Sequence, residues 1–129
     1  MLFRVRSLGQ DGYVNDLELD LHGMGASSDL PYEVDRYFVK SRGWPVSLMR
    51  LITTRARPAG VARAAQLMRA AYEGQHPPRA PIQVRRYDSD GDFLVEDGNS
   101  TVLNAIASGW PDILCDSHVR PCLNSQAIG

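Results

Sequence analysis

Long apolar runs are missing from this 129-residue chain, which nowhere approaches the ~18 consecutive apolar residues that suggest a membrane span. Its start, MLFRVRSLGQDGYV, carries Arg4 and Arg6 and lacks an apolar stretch long enough for a signal peptide, so a cytoplasmic protein is expected. Cysteine is scarce. Cys115 and Cys122 flank His118 in a polar, Pro-containing stretch with no second cysteine pair, so they read as free thiols rather than a zinc site or a disulfide framework. Charge of one sign is missing too: 14 basic and 15 acidic residues leave a formal net charge of −1. That balance excludes a strongly basic, phosphate-coating surface, so nucleic acid is not the expected partner. Repeats and low-complexity tracts are absent, and Lys40 is the sole lysine, so arginine supplies nearly all the positive charge.

What is present suits one domain. The length falls within the usual range for a single core, and a chain of this size buries roughly two-thirds of its unfolded surface without a metal or disulfide staple. Residues 1–116 read as that domain, with 117–129 as a C-terminal tail. The expected class is α/β: a small mixed or mostly antiparallel sheet with two to three helices. Leu2 to Arg6 reads as a strand, and Asp11-Gly12 as a hairpin turn. Leu17, Leu19 and Leu21 alternate with Asp16, Glu18 and Asp20 in the manner of a half-buried strand. Pro31 is expected to open a helix carrying Val34, Tyr37 and Phe38 and stopped by Gly43, followed by an extended link at Trp44-Pro45. Val46 to Thr53 reads as one strand. The clearest helix runs from Pro58 to about Glu73, its stripe formed by Val61, Ala64, Met68 and Ala71.

From Ile82 onward the pattern is strand, turn, strand, polar loop, helix, strand. The loop Glu96-Asp97-Gly98-Asn99-Ser100-Thr101 falls where a strand feeds a helix expected over about Thr101 to Ser108. Such a junction gathers unpaired backbone N–H groups at the positive end of a helix dipole. Gly98 allows a tight turn and close ligand approach, and the hydroxyls of Ser100 and Thr101 add donors. Together they form a plausible cradle for phosphate or carboxylate. A simpler reading of the same residues is a capped helix, with Asn99 or Ser100 as N-cap. Of the two carboxylates Asp97 is favoured as general base or Mg²⁺ ligand, because neighbouring strand residues point to opposite faces and only one of them should meet a pocket.

Pro81-Ile82-Gln83-Val84, Asp97-Gly98-Asn99 and the small-residue helix end Ala105 to Gly109 resemble the core of the ParB/sulfiredoxin-like superfamily, over roughly Arg57 to Asp116. The resemblance implies a pocket for CTP, ATP or ADP at this loop, ATP or CTP with Mg²⁺ being the implied cofactors. The sequence departs from the family where Ser100-Thr101 replaces the usual His-Arg, which removes the strongest phosphate-gripping side chain. Sulfiredoxin's reactive cysteine is also absent from this loop.

The expected site residues are therefore Asp97 and Glu96 for chemistry, and Gly98, Asn99, Ser100, Thr101 and Arg79 for ligand. No metal site is assigned. Arg79 could stand in for the lost loop arginine; Arg55 and Arg57, just before the long helix, could also face an anion. His76, in its Pro-rich loop, reads as an exposed side chain, and Trp44 and Trp110 as packing residues. The leading expectation is a small domain that binds a nucleotide or another phosphorylated ligand, with homo-oligomers allowed and catalysis left open. The alternatives are a non-catalytic accessory module of a mobile element or larger complex, and an NAD-dependent ADP-ribosylating enzyme using Glu96.

Overall fold

The computed structural model describes residues 1–39, 43–54 and 57–117. Strands β1 (Phe3–Leu8) and β2 (Val14–Leu19) form an antiparallel hairpin, and Gly12 in its turn adopts φ +86°. Beyond it, β2 stops at Leu19 and Leu17 faces outward, so only part of the expected leucine alternation is buried; Leu21, past the strand, is in the core. Helix α1 (Val34–Tyr37) is a single turn, shorter than the reading from Pro31 to Gly43. It ends because Phe38 turns extended and bridges to Arg79, drawing the chain away from the helical path.

Residues 46–53 are not one strand. The chain forms β3 (Trp44–Ser47), a 3-10 turn at Leu48–Arg50, and β4 (Leu51–Ile52). Trp44 and Pro45 therefore belong to a strand rather than a link. The Ser47 hydroxyl caps the turn by accepting from the Met49 amide. The remaining elements are α2 (Pro58–Tyr72), β5 (Ile82–Arg86), β6 (Phe93–Asp97), α3 (Asn99–Ala107) and β7 (Asp112–Asp116). Pro58 occupies the first turn of α2, where its missing N–H costs no helical bond.

The five-stranded sheet has the order β3-β7-β5-β6-β4. Pairing is antiparallel for β3/β7 and β5/β6, and parallel for β5/β7 and β4/β6. The two edge strands, β3 and β4, are joined by only the three-residue turn. Flat, those edges would stand about 19 Å apart, whereas three 3-10 residues advance only about 2 Å each. The sheet must curl. The Trp44 and Phe93 rings, on β3 and β6, accordingly meet edge-on with centroids 6.0 Å apart. The hairpin extends the β4 side: the Leu8 amide donates to the Thr53 carbonyl and the Thr53 amide to the Arg6 carbonyl, each at 2.9 Å.

Helix α3 is the pivot of the core. Val102 and Ala105 join the main cluster with Val46, Val84, Val95 and Ile113 from the sheet and Met68 from α2. Leu103 and Ala107 turn instead to a second cluster with Val5, Leu21 and Val61, beneath the hairpin. A helix buried on both sides must satisfy its polar residues internally. Fully buried Asn104 does so: its amide donates to the carbonyls of Val61 (3.0 Å) and Ser100 (2.9 Å), and its oxygen accepts from the Ser27 amide (2.8 Å). Trp110, also buried, donates its indole N–H to the Leu30 carbonyl. No helix among the described residues is long and apolar enough to cross a membrane.

Candidate functional site

Helix α3 is tied to the first turn of α2 by the Asn104–Val61 hydrogen bond, and a cleft of about 610 Å³ opens where the two helix starts meet. Arg57, Ala59, Gly60 and Arg63 line one wall, Asn99, Ser100 and Thr101 another, with Glu96, Asp97, Gly98 and Arg79 completing the rim. The small residues at the start of α2 permit the approach: a Cβ on Gly60 would sit 3.1 Å from the Ser100 hydroxyl.

Both helix starts present open donors. Arg57 is the N-cap of α2 and Gly98 that of α3; neither helix has a capping side chain, and neither carries an acidic residue in its first turn. This corrects the expected cap. Helix α3 begins two residues earlier than its apolar pattern suggests, so Asn99 and Ser100 lie inside it. Gly98, at φ +108°, turns the strand into the helix. A side chain there would also meet Ile82, whose Cδ1 lies 2.5 Å from where a Cβ would stand. The positive ends of two dipoles thus face the same space, next to the guanidinium groups of Arg57, Arg63 and Arg79. None of these three side chains forms an ion pair or side-chain hydrogen bond among the described residues.

The acidic rim is arranged differently from expectation. Val95 pairs with Val84 and Asp97 with Gln83, so Glu96 is an extra residue, a bulge in β6. Bulges break the alternation of side chains, and both Glu96 and Asp97 border the cleft. Glu96 is held by Arg85 at 3.1 Å; Asp97 makes no ion pair among the described residues. No cluster of three or more His, Cys, Asp or Glu side chains suited to a metal occurs among those residues.

The polar residues of the loop divide by role. Asn99 borders the cleft, yet both ends of its amide are engaged by Thr54: Oδ1 accepts from the Thr54 amide and Nδ2 donates to its hydroxyl, each at 2.9 Å. Its side chain is thus committed within the protein rather than offered to a ligand. Thr101 is 4% exposed and lines the cleft, and its side chain has no hydrogen-bond partner among the described residues. A smaller hollow of about 100 Å³, beside Phe38 and Gln83, shares Arg79, Asp97, Gly98 and Thr101 with the main cleft. The Arg79 backbone is fixed there, its amide donating to Tyr37 and its carbonyl accepting from Val39, each at 2.8 Å.

Arg63 does not stand out in the sequence, where it reads simply as a residue off the apolar stripe. The one signal pointing to it is its position within two turns of Pro58, off the buried face formed by Val61, Ala64, Met68 and Ala71. Arg55, His118 and Cys122 lie outside the described residues. His76 is remote from the cleft, on an exposed loop where its ring contacts the Pro77 carbonyl. Cys115 is a buried free thiol in β7, and burial, with Asp112 nearby, pushes its pKa up to about 12. Comparison of the chain with protein-family models, curated proteins and solved structures found no match.

Proposed function

We propose that this chain binds a small anionic ligand, a nucleotide or another phosphorylated molecule, in the cleft between the starts of α2 and α3. One observation carries the reading: three arginines free of ion pairs among the described residues converge with two uncapped helix starts on one cleft. Each component favours anions by itself, through charge-assisted hydrogen bonds or through oriented backbone N–H groups. The cleft volume lies within the range of small-molecule sites. The hydroxyl of buried Thr101 offers a further donor. The ParB/sulfiredoxin-like resemblance favours the same reading, with Arg57 and Arg63 of α2 supplying the charge that the Ser100-Thr101 departure removes. If a reaction follows binding, phosphoryl transfer suits the groups present, with Asp97 as base or Mg²⁺ ligand.

A thermal-shift screen with ATP, CTP, GTP and NAD, each with and without Mg²⁺, tests the proposal. A ligand present at 100 times its dissociation constant adds about 2.7 kcal/mol to stability, which raises the midpoint by several degrees. Stabilisation by at least one nucleotide, lost in Arg63→Ala, is expected. No shift at millimolar concentrations of all four would reject nucleotide binding.

A further inference from the structure

We propose that Asn99 and Thr54 are positioning residues: their paired hydrogen bonds fix the first turn of α3 against β6 and the segment leaving β4, so that its amides address the same anion as the start of α2. The proposal rests on the anion-binding reading of the cleft. Thr54 lies three residues before Arg57, the N-cap of α2, and Asn99 is the first residue of α3. The contact is reciprocal, at 2.9 Å in each direction. It is also part of a chain, because the Thr54 hydroxyl accepts from Asn99 while donating to the Val95 carbonyl at 3.2 Å. A hydroxyl has one proton to donate, and here it is spent on the floor of the core, since Val95 is fully buried in β6. The chain therefore ties three elements together: the segment leaving β4, the strand β6 and the helix α3.

Asparagine is a poor helix former, and at this position it neither caps the helix nor offers its amide to the cleft. Its side chain serves the geometry instead. Thr101 brings a separate indication of a ligand: it lines the cleft, is buried, and its hydroxyl has no partner among the described residues. Removing the clamp leaves α2 and α3 joined through the Asn104–Val61 hydrogen bond and frees only the first turn of α3.

The test is a phosphorus NMR titration with inorganic pyrophosphate at fixed ionic strength, applied to the wild type, Thr54→Val, Thr54→Ser, Asn99→Ala and Arg63→Ala. At metal sites, loss of the partner that orients a ligand typically costs about 10–100-fold in affinity, and an effect at the lower end of that range is expected here. Thr54→Val and Asn99→Ala are expected to weaken pyrophosphate binding by about tenfold, and Thr54→Ser, which keeps the hydroxyl, to bind within about twofold of wild type. A Thr54→Val/Asn99→Ala double variant is expected to bind about as weakly as Asn99→Ala alone, since Asn99→Ala already removes both hydrogen bonds whereas Thr54→Val removes only the one through the hydroxyl. Wild-type affinity in Thr54→Val, or equal weakening in Thr54→Ser, would overturn the positioning role. Arg63→Ala separates the two levels. If it leaves affinity unchanged, the anion-binding reading fails; if it weakens binding while Thr54→Val does not, the clamp alone fails. Far-UV circular dichroism at the titration temperature checks folding, and Asn99→Ala carries the comparison if Thr54→Val does not fold.

Discussion

Gly98 illustrates how one residue sets the site. Its φ of +108° lies where side chains are strained, and a Cβ would press on Ile82 in the core. Gly98→Ala is expected to cost about 1–3 kcal/mol, lowering the thermal midpoint by roughly 5–10 °C with the far-UV spectrum retained; a midpoint within about 1 °C of wild type would show that the turn tolerates a side chain. The sequence made this glycine legible, because Asp-Gly-Asn between an apolar strand and an apolar helix signals a turn. It did not show what Asn99 would do. An asparagine beside a helix start reads locally as a cap, whereas its partner here, Thr54, lies 45 residues away. The bulge at Glu96 was equally hidden, since it exists only in the register against β5.

Among the elements, α2 and α3 were legible from their periodicity and from Pro58, Gly74 and Gly109, which bound them. Residues 46–53 were not. Leu48-Met49-Arg50 contains no proline or glycine to announce a break, and the turn is imposed by a sheet that must bring β3 and β4 to opposite edges. The hairpin is likewise an element whose place depends on distant partners. Arg6 donates to Asp92 at 3.1 Å, and this hydrogen bond raises the Arg6 pKa. Both side chains are partly exposed, so the contact contributes at most about 1 kcal/mol. Arg6→Ala is expected to speed amide hydrogen exchange in β1 and β2 by up to about fivefold while leaving α3 protected to the same degree. Uniform acceleration across all elements would instead place Arg6 in the global stability of the fold.

At the scale of the whole molecule, a net charge of −1 concealed a local concentration of arginine. The structure gathers Arg57 and Arg63 from α2 and Arg79 from the approach to β5 around one opening, and directs two helix starts into it. No linear motif specifies that meeting; it follows from α3 being buried on both sides and from the closeness that Gly60 allows. The measurement that bears on it most directly is a backbone amide NMR titration with inorganic pyrophosphate. Saturable shifts are expected at the amides of residues 59, 60 and 99–101, with the β1–β2 hairpin unaffected. Shifts confined to other parts of the surface, or none at millimolar pyrophosphate, would contradict the proposal that this cleft holds an anion.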